Sequence, residues 1–166
     1  MEHDPSIENF KLPSLAASPA DIQRLKRETE SLDEYLAQAA LRNSEQNSSK
    51  LPKTSRLLDE LAQINSLNLL QTNSRQQLLA FLESVGQAPV LHISFATDPS
   101  SAFLNKIVIW LRQNIHPFVL VRIGLQPSIA AGCIVRTPNH YYDFSLRQHF
   151  TKQRSLLIQS LMGQAE

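Results

Sequence analysis

Apolar side chains recur at alternating intervals of three and four residues in the N-terminal part of the chain. They lie at Ile22, Leu25, Leu32, Leu36 and Ala39, and Thr29 fills the one gap. This spacing averages about 3.5 residues and predicts an amphipathic helix with a narrow apolar seam. Ser18, Pro19 and Asp21 form a typical helix start, because serine caps, proline fits the first turn and an acid favours the positive end of the dipole. We therefore predict a helix from Ser18 to about Arg42.

The narrow seam suits one or two partner helices better than it suits a broad core. The rest of the helix surface is made of Gln, Arg, Lys, Glu and Asp. We expect the seam residues to contact a helix of another chain, namely Ile22, Leu25, Leu32 and Leu36. The alternative is a helix that folds back on its own domain, since the seam spans only about three heptads.

Two short helices are predicted after this seam, over about residues 54–65 and 72–85. Each is preceded by Ser, Thr or Asn residues that can cap it, and each carries Leu and other apolar residues on one side. Helices of this length are not stable alone, so we expect them to pack against the rest of the chain.

The C-terminal half alternates between strand and helix patterns. Residues 90–96 and 118–125 are rich in strand formers, and residues 101–114 between them form an amphipathic pattern. Residues 133–135 are a short apolar run followed by a Thr-Pro-Asn turn, and residues 141–144 begin another strand. The order strand, helix, strand, strand, strand and terminal helix predicts a small α/β domain.

The whole chain is therefore predicted to be α+β, with a heptad-type helix and short helices before the C-terminal α/β domain. The predicted segments are a flexible tail (1–17), the heptad helix (18–43), a Ser-, Asn- and Gln-rich linker (44–53), the short helices (54–87) and the C-terminal domain (88–162).

Charge is unevenly distributed along the 166 residues, although the formal net charge is only +1. Residues 1–98 hold 9 Lys/Arg and 13 Asp/Glu, whereas residues 99–166 hold 7 Lys/Arg and 2 Asp/Glu. The basic half suggests a partner with negative charge, either a nucleic acid or an acidic protein surface. The alternative is that the two halves offset each other.

The sequence gives no sign of secretion or membrane insertion. It begins Met-Glu-His-Asp-Pro, without the basic start and apolar run of a signal peptide, and no window reaches the ~18 apolar residues of a membrane span. The single cysteine excludes an internal disulfide and suggests a reducing compartment. We expect a cytoplasmic protein.

Catalytic, cofactor and metal sites are not predicted. The four glycines, at positions 86, 124, 132 and 163, cannot build a glycine-rich phosphate loop. Cys133 lies in a predicted buried strand, where a thiol behaves as a small hydrophobe. His140, Asp143 and His149 could converge on a metal, but turn and cap roles are the simpler interpretation.

Aromatic and basic residues near the C-terminus allow one further alternative. Tyr141, Tyr142 and Phe144 could stack single-stranded bases beside Arg136, Arg147 and Lys152. The favoured interpretation is aromatics in a sheet with basic residues on its rim, because no RNP-like pattern accompanies them.

Residues 123–161 carry the most distinctive pattern. They read Ile-Gly-Leu-Gln-Pro-Ser-Ile-Ala-Ala-Gly-Cys-Ile-Val-Arg-Thr, then after a short turn Asp-Phe-Ser-Leu-Arg, and then a helix ending Leu-Ile-Gln-Ser-Leu. This stretch resembles the C-terminal signature of the F-type ATP synthase delta subunit family, called OSCP in mitochondria. The residues that match the motif are Pro127, Ser128, Gly132, Arg136, Asp143, Ser145 and Arg147, and the resemblance covers about residues 88–162.

The resemblance implies a non-catalytic subunit of the peripheral stalk, with no cofactor. It implies b-type stalk helices and the alpha subunits of the catalytic head as partners, so that the head does not turn with the rotor during proton-driven ATP synthesis. In this family the C-terminal domain receives the C-terminal part of the b helices. The implied location is cytoplasmic, at the periphery of the cell membrane through the complex.

The chain departs from the family pattern in three places. Ala131 replaces the first glycine of a pair, Gln126 replaces the acid before Pro-Ser, and residues 1–87 cannot supply the family's N-terminal six-helix bundle. One long helix before a small α/β domain also resembles the V-type ATPase E subunit, but the Asp-x-Ser pattern at Asp143 favours delta. Gly132 is expected to allow a close backbone approach or a positive φ.

Overall fold

The structure, a computed structural model, describes residues 10–41 and 53–146 together with residues 153, 154 and 158. In chain order these residues form α1 (Pro19–Leu41), α2 (Arg56–Ile64), α3 (Thr72–Gly86), β1 (Val90–Phe95), α4 (Ser101–Asn114), β2 (Leu120–Leu125), a 3-10 turn (Pro127–Ile129), β3 (Cys133–Arg136) and β4 (Tyr141–Asp143). The α+β class is confirmed in this coarse form. The predicted linker lies almost wholly outside the described residues, as does nearly all of the predicted terminal helix.

The chain divides into two compact units. The first comprises the residues up to 89 together with residues 108–120, and the second comprises residues 90–107 and those from 121 onward. The first unit is therefore built from α1, α2, α3 and the C-terminal part of α4, and the second from the sheet and the start of α4.

Capping residues fix where the helices begin. Ser18 Oγ accepts from the backbone N–H of Asp21 at 3.2 Å, and Asp21 Oδ2 accepts from the backbone N–H of Ser18 at 2.9 Å, which is a reciprocal cap. Ser55 caps α2, because its Oγ accepts from the backbone N–H of Leu58 at 3.3 Å. Gln71 precedes α3 without a side-chain cap, so the predicted cap at residues 72–73 is not observed.

The apolar seam of α1 packs inside the first unit. Ile22, Leu25 and Leu32 are 3%, 0% and 4% exposed, and α1 contacts α3 and α2. Thr29 in the gap is fully buried, and its hydroxyl donates to the Leu25 carbonyl at 2.8 Å, so its polar atom has a partner. Leu36 is half-buried. The chain as it stands therefore has the folded-back helix, and contact of this seam with a partner helix stays a prediction that requires α1 to leave α3.

A buried arginine on α3 ties α1 to the turn before α3. Arg75 Nε donates to Asp33 Oδ1 at 2.6 Å, and its terminal nitrogens donate to the carbonyl oxygens of Leu69 and Leu70 and to Thr72 Oγ1 at 2.9–3.1 Å. A buried guanidinium is stable only when its donors are satisfied in this way. Removing Arg75 would take this donor away from the Leu69 and Leu70 carbonyl oxygens.

Residues 10–17, which we call the N-terminal strap, were expected to be part of a flexible tail and are instead held on the first unit. Arg112 on α4 donates to the carbonyl oxygens of Leu12 and Pro13 at 3.0 and 2.8 Å and to that of Ala16 at 2.7 Å. Burial lowers the pKa of Arg112 from its ordinary value. The guanidinium satisfies backbone groups that no helix or strand satisfies, which fixes the strap.

The other end of the strap is held by a ring contact and a side-chain amide. Phe10 stacks on Phe81, with the ring centroids 4.8 Å apart. Asn65 accepts from the backbone N–H of Lys11 at 2.7 Å and donates to its carbonyl oxygen at 2.9 Å. The paired amide contact reproduces the bonding of a strand neighbour, so the strap is fixed at both ends.

The second unit is built on a mixed sheet of strand order β2-β1-β3-β4. β3 runs antiparallel to both of its neighbours, with Val135 opposite Ile93 of β1 and Tyr142 of β4. Residues directly opposite each other in such pairs present their side chains on the same face. The register therefore assigns each sheet residue to a face.

Candidate functional site

The turn between β2 and β3 contains two residues with positive φ. The 3-10 turn Pro127–Ile129 buries the Ile129 side chain, and Ala130 then adopts φ 66° and ψ −54°. The backbone N–H of Ala131 donates to the Ile129 carbonyl at 2.9 Å, which makes the turn a γ-turn of the rare, strained hand. An alanine in this conformation stores backbone strain at the centre of the motif.

Gly132 follows with φ 93° in a space that excludes a side chain. A Cβ on this residue would lie 2.3 Å from the Phe144 carbonyl oxygen and 3.1 Å from the Ser145 Cα. Both expectations for this glycine hold, since the backbone conformation and the close backbone approach each require it.

Backbone hydrogen bonds join this turn to the chain beyond β4. The N–H of Phe144 donates to the Cys133 carbonyl at 2.9 Å, and the N–H of Leu146 donates to the Ala131 carbonyl at 3.0 Å. We call residues 127–133 and 143–146 together the motif junction. Two segments of the motif that lie apart in sequence therefore form one structure.

Ser145 lies at the centre of the motif junction. Its side chain is buried, and its backbone N–H donates to Asp143 Oδ1 at 2.8 Å. An aspartate that accepts from the N–H two residues later forms an Asx-turn, which fixes the exit of the chain from β4.

The other residues of the motif lie at the surface or outside the described part. Pro127 and Ser128 are exposed on the turn. Arg136 ends β3, and its guanidinium carbon lies 5.3 Å from the centre of the Tyr141 ring, a cation–π contact. Arg147 lies outside the described residues.

An aromatic ladder runs along one side of β4. His140, Tyr142 and Phe144 alternate along the chain, with ring centroids 5.9 Å apart for the first pair and 6.3 Å for the second. All three side chains are exposed, and β4 is an edge strand. Strand alternation places Tyr141 on the opposite face. The ladder is an exposed apolar surface of the second unit of the kind that marks an interaction site.

A cavity of about 390 Å³ opens in the same unit. Phe95 and Phe103 form part of its lining and meet edge to face with centroids 6.2 Å apart, and Cys133 lies beside them. Burial raises the pKa of the Cys133 thiol, which disfavours the thiolate that a nucleophile requires. The lining is predominantly apolar, so the cavity fits an apolar side chain or fragment.

The histidine and carboxylate suggested for a metal have structural roles in the turn. The His140 backbone donates to Thr137 Oγ1 at 2.8 Å and its carbonyl accepts from the Thr137 N–H at 2.9 Å, while Asp143 forms the Asx-turn. His149 lies outside the described residues. Within the part of the chain that the structure describes, no three His, Cys, Asp or Glu side chains lie close enough to hold a metal ion.

Several of these features carry no clear signal in the sequence. Ala130 is an ordinary residue for a turn, and only the Pro-Ser before it and the glycine after it mark the region as a turn. The ladder alternation at His140, Tyr142 and Phe144 is visible as a period of two, but which face it lies on depends on pairing with β3.

Among the helices of residues 10–41 and 53–146, none combines the length and the apolar character needed to cross a bilayer. No protein-family model matches the chain, and no curated protein matches it.

Proposed function

We propose that this chain is a delta-type subunit of the peripheral stalk of an F-type ATP synthase, which binds b-type stalk helices and links them to the catalytic head. The motif junction is the observation that carries the proposal. Pro127, Gly132 and Asp143 were matched to the family by sequence alone, and they contribute to one structure in which Gly132 is required by both space and backbone conformation.

The contacts of the junction explain why this motif would persist as a unit. The Phe144 carbonyl occupies the space that a side chain at position 132 would fill, and Ser145 is buried behind it. A chance sequence resemblance gives no reason for residues 132 and 145 to meet. Their contact gives the two halves of the matched motif one structural role.

The exposed apolar surface of the second unit supports helix binding. Tyr142 and Phe144 on the ladder are 48% and 63% exposed, and the cavity near Phe103 can receive an apolar side chain. An amphipathic helix presents apolar side chains at i, i+3 or i+4 and i+7, which suits a surface of separated apolar contacts. In this proposal the role is mechanical, and the site holds a helix.

Contact with the catalytic head is assigned to the first unit, because the second unit is assigned to the b-type helices. The described helices before β1 are α1, α2 and α3, with the N-terminal strap packed against them. In this proposal the unit binds the alpha subunits, and the whole complex holds the protein at the cytoplasmic side of the membrane.

Co-purification with identification of the bound proteins tests the function. A tagged chain expressed in its own cells should enrich b-type and alpha subunits of the ATP synthase over a tag-only control. Phe144→Ser should weaken the enrichment of b-type subunits, whereas Leu70→Ser should leave it unchanged, because both side chains are more than half exposed but Leu70 lies in the first unit.

Absence of every ATP synthase subunit from the bound fraction of the folded chain would contradict the proposal. Enrichment of V-type stalk subunits would favour the E-like alternative.

A further inference from the structure

A row of basic and aromatic side chains crosses the sheet on the face opposite the ladder. His92 of β1 lies opposite Arg136 of β3, and Arg136 lies opposite Tyr141 of β4. Opposite residues share a face, so these three side chains project from the same side. All three are exposed.

Arg122 extends this row onto β2. The backbone N–H of Leu120 donates to the Pro89 carbonyl and that of Gln126 to the Phe95 carbonyl, so residue numbers rise together and the strands are parallel. In a parallel ladder this bond places Leu120 beside residue 90 and, two residues on, Arg122 beside His92. Arg122 is exposed as well.

We call Arg122, His92, Arg136 and Tyr141 the cationic row. Within the described residues neither arginine forms an ion pair with a carboxylate. The neighbouring row on the same face is covered to a greater degree: Ile134 is buried, and Ser94 and Asp143 are half-buried. The two arginine charges, on β2 and β3, therefore lie on one line across the sheet.

The spacing of this line matches the length of two helical turns. Neighbouring strands lie about 4.8 Å apart, so Arg122 and Arg136, two strands apart, have backbones separated by roughly 10 Å. A helix rises about 1.5 Å per residue, so side chains at i and i+7 are separated by roughly 10.5 Å along its axis. Guanidinium groups bind carboxylates through paired hydrogen bonds, which gives such a match directional strength.

We propose that the cationic row docks the acidic face of a partner α-helix that crosses the strands, with carboxylates at i and i+7 on the two arginines and a polar or acidic residue at i+3 or i+4 near His92. The helical form of the partner rests on the proposed function, while its acidic face follows from the row. The row adds a second, electrostatic contact to the apolar ladder surface of the same unit.

A helix fits this face better than single-stranded nucleic acid does. Strand alternation leaves Tyr141 as the aromatic of the row and places Tyr142 and Phe144 on the other face. Single strands require successive aromatic platforms along a basic groove. The Tyr141 ring is already engaged by Arg136.

The test measures binding of a labelled peptide to the full chain by fluorescence anisotropy. The probe is a helical peptide of about three heptads with Glu at i and i+7 on one face, and its matched control has the same composition with the Glu residues distributed around the helix. The peptide with Glu at i and i+7 should bind more tightly than the control, and rising salt should weaken its binding.

Charge reversal identifies the surface. The double variant R122E/R136E should lose about tenfold or more in affinity for the peptide with Glu at i and i+7. The control R27E/K53E makes the same change in charge on exposed residues of the first unit and should bind as the native chain does. Circular dichroism and thermal melts check that both variants fold.

Three results would overturn the inference. Equal loss in both double variants would show general electrostatic attraction. Preference for a single-stranded oligonucleotide, or a self-association in sedimentation that only R122E/R136E removes, would assign the row to a nucleic acid or to a second copy.

The inference and the proposed function can be contradicted independently of each other. If R122E/R136E co-purifies with stalk subunits as the native chain does, the inference is wrong and the function stands. If the peptide with Glu at i and i+7 binds at the cationic row but no stalk subunit co-purifies, the inference stands and the proposed function is wrong.

Discussion

At the residue scale, Gly132 makes the sharpest prediction. Gly132→Ala forces a Cβ to 2.3 Å from the Phe144 carbonyl oxygen at a φ that alanine resists. The free energy of unfolding of the second unit should fall by about 1–3 kcal/mol, and more if the junction cannot relax. Denaturant titration measures it. Gly86→Ala is the control, because nothing lies within 4 Å of the new Cβ, and an equal effect there would contradict the junction.

Substitution of Ala130, two residues earlier, should change the free energy of unfolding in the opposite direction. Its φ of 66° is costly for alanine and free for glycine, and its side chain is exposed, so Ala130→Gly removes strain without losing packing. We expect a gain of up to about 1 kcal/mol in unfolding free energy, partly offset by greater freedom of the unfolded chain. A clear loss of stability would show that the γ-turn is not strained.

The Cys133 thiol should make the stability of the folded chain depend on pH. Burial raises its pKa in the folded chain, so above the ordinary thiol pKa of about 8.5 the unfolded chain loses this proton first. Unfolding then becomes more favourable as pH rises through the folded pKa. The stability difference between the native chain and Cys133→Ala should shift in that direction between pH 7 and pH 10. Rapid alkylation of the folded chain at neutral pH would contradict the raised pKa.

Glycine and serine show which residue roles the sequence reveals. Gly132 was predictable because a glycine between a turn and an apolar strand has few other reasons to be there. The burial of Ser145 behind it was not, because it depends on a backbone thirteen residues away in sequence. Local conformation can be inferred from residue type, whereas the contact that demands it cannot.

At the element scale, we expect Arg112 to determine how strongly the N-terminal strap is held on the first unit. Arg112→Met removes the donors to three strap carbonyl oxygens, each bond contributing about 1 kcal/mol. The Ala16 amide, which bonds to the Pro13 carbonyl, should exchange its hydrogen faster. Arg56→Met is the control, since that side chain is exposed at the start of α2. Unchanged exchange in Arg112→Met would show that the strap is held by other contacts.

Packing of α1 on α3 gives the second prediction at this scale. Leu25 is 0% exposed, so Leu25→Ala should lower the unfolding free energy of the first unit by about 2–5 kcal/mol. Leu70→Ala, at a side chain 60% exposed, should change it by less than about 0.5 kcal/mol. Equal midpoints for the two variants would contradict a buried seam.

Helix and strand positions were largely predictable because their signals are local. The cap of Ser18 and Asp21 and the seam period placed α1 within a residue or two of its observed bounds. The N-terminal strap was not predictable, since its order comes from Arg112 nearly a hundred residues later. The seam itself is consistent in sequence with an internal or a partner helix, and only the packing of α3 distinguishes them.

At the scale of the whole molecule, the sign of charge separates the two halves of the chain. Residues 99–166 carry five more basic than acidic groups, and Arg122 and Arg136 on the sheet are part of that excess. Composition alone suggested a partner with negative charge, either a nucleic acid or an acidic protein surface, and left open that the two halves only offset each other. The strand pairing places these arginines in one row, which composition could not reveal because register is a long-range property.

The central claim is that the second unit is a docking domain for a stalk helix. Isothermal titration calorimetry of the purified chain against the C-terminal segment of the b-type subunit from the same genome tests it most directly. The account predicts saturable binding with one site per chain, a negative heat-capacity change from apolar burial, and a weaker affinity for Phe144→Ser. No heat and no co-sedimentation between the folded chain and that segment would contradict it.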